Sequence, residues 1–108
     1  MISELRAISG PGQDLAAEVA VLFRRDATAQ VERLKQAHQA GEQQAVHRIA
    51  HTLKGSAGNL GLVGLMAACH DLQVATQDPA APLPTRAEVD RIAGALDSSL
   101  QHLTALGL

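Results

Sequence analysis

The sequence predicts an all-α fold, an up-down-up-down four-helix bundle with a short N-terminal helix or arm. Three observations predict it. Apolar residues recur at three- and four-residue steps through four long segments, with no strand-like alternation of useful length. The connections between those segments are short. The core must also be aliphatic: Phe23 is the only aromatic among 108 residues, and alanine, leucine and valine carry the packing. Small and straight side chains favour closely packed helices over a sandwich of sheets.

The elements follow in order. Met1 to Ile8 places Ile2, Leu5 and Ile8 at helical spacing, enough for a short helix or ordered arm, and Gly10-Pro11-Gly12 breaks it. The first long helix runs from about Gln13 to His38, with Leu15, Val19, Leu22, Phe23, Val31 and Leu34 recurring along it. Ala40-Gly41 is its stop. The second starts near Glu42, whose acidic side chain suits the positive end of the helix dipole. Its inward stripe is Val46, Ala50, Leu53, Ala57 and Leu60, with Ile49 beside it. Turn formers gather at Asn59-Leu60-Gly61, and Gly64 also reads as a turn residue. The third helix spans about Val63 to Thr76, with Leu65, Cys69 and Leu72 inward. Gln77 to Pro84 holds three prolines and reads as a loop. Thr85-Arg86-Ala87-Glu88 fits a capping box, and Val89, Ile92, Leu96, Leu100 and Leu103 form the stripe of the last helix. A single domain over 1–108 follows, with its bundle core at about 13–106.

Composition narrows the function. A net charge of −2 gives no basic stripe, and without an aromatic cluster there is no stacking platform, which argues against nucleic acid. One cysteine, Cys69, allows no internal disulfide; its apolar setting makes it a packing residue and fits a reducing compartment. No run of about 18 apolar residues encodes a membrane span, and Met1-Ile2-Ser3-Glu4-Leu5-Arg6 has no signal-peptide core. No Gly-Lys-Ser/Thr follows phosphate-loop spacing, so no adenine-nucleotide site is visible.

Chemistry concentrates on the second helix. At about 100° per residue, His51 points away from the Val46/Leu53/Ala57 stripe toward solvent. Lys54 lies one turn on, and Gly55 and Gly58 follow near the same face. An interior glycine costs about 0.8–1 kcal/mol relative to alanine. Two of them beside an exposed imidazole leave a low surface where a partner's backbone can approach. Neutral imidazole nitrogen is a competent nucleophile toward phosphorus, and the Lys54 ammonium can hold a phosphoryl group by charge. The Ser56 hydroxyl lies further round the wheel and is a weaker candidate. His47 and His51 share the spacing of helical zinc ligands, but Arg48 stands where a metalloprotease carries its glutamate. Only His70 or Asp71 offers itself as a third ligand, so no metal is expected. His38, His70 and His102 read as surface or boundary residues.

The stretch Ala50-His51-Thr52-Leu53-Lys54-Gly55-Ser56-Ala57-Gly58-Asn59-Leu60-Gly61 resembles the signature of the histidine phosphotransfer (HPt) domain of bacterial multistep phosphorelays. The likeness extends over nearly the whole chain, because that family is also a helical bundle. It implies that His51 is the phospho-acceptor, Lys54 the phosphate-side cation, and Gly55, Gly58 and Ser56 part of the docking surface. The family often places a glutamine on the next helix against the other nitrogen of the histidine ring, and Gln73 is the candidate here. A second basic residue found in some relatives is replaced by Gln77. The implied partners are response-regulator receiver domains and a hybrid sensor histidine kinase. No cofactor is expected on this chain; Mg²⁺ is expected on the receiver's carboxylates. The resemblance describes a phosphohistidine carrier with no ATP-dependent kinase activity, cytoplasmic or the cytoplasmic part of a membrane-bound hybrid kinase. The competing reading is a phosphate-independent docking module built on the same bundle.

Overall fold

A computed structural model describes residues 15–108. The expected N-terminal helix or arm, the Gly10-Pro11-Gly12 break and the start at Gln13 lie outside these residues. Four helices follow: α1 Leu15–Gln39, α2 Gln43–Asn59, α3 Val63–Ala75 and α4 Arg86–Ala105. Each packs on its chain neighbours and α4 closes back on α1, while the backbones of the diagonal pairs stay apart. The result is the all-α four-helix bundle, with one core running down its axis.

The turns are built by backbone chemistry that the sequence announces. At the end of α1, Glu42 N–H donates to Ala37 O and Gly41 N–H to His38 O. At the end of α2, Leu62 N–H donates to Ala57 O and Gly61 N–H to Gly58 O. This paired pattern satisfies orphan carbonyls and needs a left-handed residue at its centre. Gly41 at φ 72° and Gly61 at φ 68° supply it. Leu62, just past the second turn, is buried in the core and locks the reversal. The capping box at α4 is present: Glu88 N–H donates to Thr85 Oγ1, and Thr85 N–H to Glu88 Oε2. The proline loop is pinned to the bundle at two points. The His38 Nε2–H donates to Pro84 O at 2.6 Å, and the Gln43 amide donates to Ala81 O at 2.7 Å.

The core confirms the α2 stripe. Val46, Ala50, Leu53, Ala57 and Leu60 are all buried, as are Leu65, Cys69 and Leu72 of α3 and Val89, Ile92, Leu96 and Leu103 of α4. Leu100 is only partly buried, and Ser99 takes the inner position beside it. The register of α1 differs from the leucine pattern. Leu15 and Leu22 are exposed, and Ala16, Ala20 and Ala27 line the core with Phe23, Val31, Leu34 and Ala37. Small residues let α1 approach its neighbours closely, so the alanines win the inside. Gly64 also departs from expectation: it lies in the first turn of α3, not in the connecting turn. Arg24 ties α1 to the end of α4, its guanidinium donating to Thr104 Oγ1 at 2.8 Å and to the carbonyls of Leu100 and Leu108.

Candidate functional site

The α2/α3 hairpin reverses tightly at Leu60–Leu62, so the two helices run antiparallel in fixed register. A three- or four-residue step down α2 then meets an equal step up α3, and side chains pair in successive rungs. His51 is exposed on α2, and the Gln73 amide of α3 reaches its Nδ1 at 2.9 Å. One turn along, the Lys54 ammonium sits 3.1 Å from Nδ1 of His70. One turn the other way, His47 Nδ1 lies 3.1 Å from both Gln73 O and Thr76 Oγ1.

Donor and acceptor counting assigns the rungs. Gln73 O can only accept, so His47 carries its proton on Nδ1 and donates. Thr76 Oγ1 donates to Leu72 O at 2.8 Å and offers its lone pairs to the same His47 N–H. His47 thereby clamps the backbone from which Gln73 projects. The Gln73 Oε1 atom is buried and has no partner.

The glycines separate. A Cβ built on Gly55 meets nothing within 4 Å, so this exposed position opens to solvent beside His51. A Cβ on Gly58 would touch Met66 of α3 at 3.6 Å, and Gly58 is half-buried. Gly58 is therefore partly covered by Met66 of α3, whereas Gly55 is open. Ser56 turns toward α1, where it lines a cavity of about 380 Å³ with Thr52, Asn59, Leu22, Asp26 and Arg33. The exposed leucine of α1 thus forms a wall of a groove next to the His51 helix.

The side chains of the metal alternative have other partners. Asp71 pairs with Arg91 of α4 at 2.6 Å, His70 with Lys54, and His47 with the α3 backbone. Among the described residues no group of three His, Cys, Asp or Glu side chains could hold a metal ion. Cys69 is buried, and desolvation pushes its thiol up to about 11, so it stays protonated and inert at neutral pH.

A family model for the Hpt domain matches residues 18–105. The chain belongs to the Hpt domain family. That span covers most of α1 and all of α2, α3 and α4. No curated protein and no solved structure matches the chain. Hpt domains are phosphocarrier modules of phosphorelays, in which a histidine takes and passes on a phosphoryl group, and that general role holds for this chain. Their partners as a family are the receiver domains of response regulators and hybrid kinases. Among the described residues no helix is long and apolar enough to cross a membrane.

In this Hpt domain, sequence reasoning assembled His51, Lys54, Gly55 and Gln73 on neighbouring surfaces of α2 and α3. It missed two residues that touch them. The sequence presents His47 as half of a zinc-like pair, and His70 as a surface histidine or a possible third ligand to that pair. Each sits one helical turn from a residue already singled out, and that spacing was the available signal.

Proposed function

We propose that His51 is the phospho-acceptor of a relay carrier, taking a phosphoryl group from a receiver-domain aspartate and passing it to a second receiver. The attacking atom is Nε2. Its lone pair forms the N–P bond as the P–O bond to the donor aspartate breaks, and the aspartate leaves as a carboxylate. For Nε2 to attack, the ring proton must rest on Nδ1. The carrying observation is the Gln73 amide 2.9 Å from Nδ1 of the exposed His51 ring.

A glutamine amide has two isosteric orientations. With its amino end toward His51, Nδ1 accepts, the ring proton sits on Nε2 and the buried oxygen is unsatisfied. With Oε1 toward His51, Nδ1–H donates and Nε2 is free, while the amino group takes the buried position. The second arrangement is the reactive one. The same carbonyl then supports the positive charge that the ring acquires when Nε2 is phosphorylated.

Lys54 meets the phosphoryl oxygens as a point charge, and Gly55 clears the approach of the receiver. Ser56 and the neighbouring α1/α2 groove extend the docking surface. Mg²⁺ belongs to the receiver's carboxylates, because the His51 face carries no acidic cluster. The chain then needs no kinase activity of its own, and its place is the cytoplasm, where a hybrid sensor kinase presents its receiver.

The test mixes the protein with a phosphorylated receiver and follows label transfer. The wild type is expected to take up acid-labile, alkali-stable label, and His51→Gln none. Absence of label on the wild type with several receivers refutes the relay reading and favours a phosphate-independent docking module. Equal labelling of His51→Gln moves the acceptor to another residue.

A further inference from the structure

We infer that His70 is a positioning residue for Lys54: its neutral ring accepts a hydrogen bond from the ammonium and holds it beside the acceptor histidine. The inference rests on the assignment of His51 as acceptor.

The contact between Lys54 Nζ and His70 Nδ1 is 3.1 Å. An ammonium has three donors and no acceptor, so the ring nitrogen must contribute a lone pair. That places the His70 proton on Nε2 and keeps the ring neutral. A protonated ring would have no acceptor and would set a second cation against Lys54. The geometry also excludes a surface accident of one long side chain. Lys54 stands one turn beyond His51 on α2, and His70 one turn before Gln73 on α3. The Lys54–His70 rung is therefore parallel to the His51–Gln73 rung and adjacent to it. Lys54, His70 and Gln73 line one shallow cavity of about 200 Å³ with His47, Val74 and Gln77. Asp71, the nearest acid on α3, is already held by Arg91, so it leaves Lys54 to the imidazole.

A free lysine carries large rotamer entropy, which a phosphoryl group must quench on arrival. His70 uses one of the three ammonium hydrogens and restricts the stem beforehand. Two N–H groups remain for phosphoryl oxygens. Preorganisation of this kind acts on the transfer step more than on the docking of the receiver.

The test is single-turnover transfer from one phosphorylated receiver to wild type, His70→Ala, His70→Asn, Lys54→Ala and the Lys54→Ala/His70→Ala double variant. The asparagine carbonyl can take the place of Nδ1 as acceptor. His70→Ala is expected to slow the transfer step about tenfold, the scale of one hydrogen bond to a charged group, with little change in half-saturation by receiver. His70→Asn should recover most of that loss. In the Lys54→Ala background, removing His70 should change nothing further. Nitrogen-15 spectra should show His70 with an unprotonated Nδ1 in the wild type and a tautomer mixture in Lys54→Ala.

Wild-type rates in His70→Ala, or a faster rate, overturn the inference; the faster rate would mean that His70 restrains Lys54 from the phosphoryl group. Equal losses in the presence and absence of Lys54 overturn it too, since His70 would then act elsewhere. In each of these cases His51→Gln still abolishes label, so the acceptor assignment stands. If the wild type itself takes no label, both readings fall.

Discussion

Gly55 can be changed so that stability and phosphotransfer move in opposite directions. Its backbone is ordinary right-handed helix, because among the described residues the left-handed glycines are Gly41, Gly61 and Gly107. A Cβ there meets nothing within 4 Å. Alanine should therefore gain its full helix advantage of about 0.8–1 kcal/mol. For a domain of this size 1 kcal/mol corresponds to about 4–8 °C in Tm. Gly55→Ala should thus melt about 3–8 °C above the wild type. Gly55→Gln keeps most of that gain, since glutamine is also a good helix former. Yet its side chain stands up into the approach to His51. Displacing the reacting atoms by 1 Å can cost about 10²-fold in rate. Gly55→Gln should then slow label transfer by about that factor while raising Tm. Gly94 supplies the control, because it is also exposed with an open Cβ, and it lies on α4, diagonally across the bundle from α2. Gly94→Ala should raise Tm without slowing transfer. The assay pairs thermal unfolding with single-turnover transfer on the same preparations. Transfer by Gly55→Gln at the wild-type rate refutes the clearance argument, and a lower Tm for Gly55→Ala refutes the reading of Gly55 as a functional concession.

Two further perturbations probe the scaffold. Thr85→Ala removes one half of the capping box on α4 and should cost about 1 kcal/mol, seen as a fall of several degrees in Tm with transfer unchanged; an unaltered Tm would mean that the cap contributes nothing. Burial raises the Cys69 thiol to about 11, while an unfolded thiol ionises near its ordinary value, so above pH 9 the unfolded chain loses a proton that the native state keeps. Stability should therefore be unaffected by Cys69 below that pH and should fall between pH 9 and 11 by up to about 1.4 kcal/mol per unit, a slope that Cys69→Ala removes. Urea titrations at pH 8, 9 and 10 read it directly, and identical slopes with and without the cysteine would contradict the buried thiol.

Much of this fold is legible in the chain because its signals are local. The glycine stops at 41 and 61, the box at Thr85 and Glu88, and the α2 stripe each depend on residues within one or two turns. The inner face of α1 is not legible in the same way. Its leucines and alanines lie on overlapping wheel positions, and hydrophobicity alone prefers the larger residue. Close packing against α2 and α4 prefers the smaller one, and only the assembled bundle decides. The site divides similarly. His51, Lys54 and Gly55 can be placed by counting along one helix. The partners of His47 and His70 depend on the register between two helices, which the Leu60–Leu62 reversal sets. Gly58 shows the same dependence, since Met66 of α3 covers part of the space that a single-helix wheel assigns to solvent.

The three rungs lie on one αα-hairpin, from His47 to Thr76. None of those bonds reaches α1 or α4. The supports of the imidazole are therefore separate from the α1 wall of the groove, although Gly55 and Ser56 put part of the proposed docking surface on the hairpin itself. If receivers dock on that groove, substitutions along its α1 wall should alter docking while the imidazole and its supports keep their geometry. The hairpin is accordingly a portable cassette: grafted between other outer helices that bury the same apolar stripes, it would carry its reactive geometry to a new address.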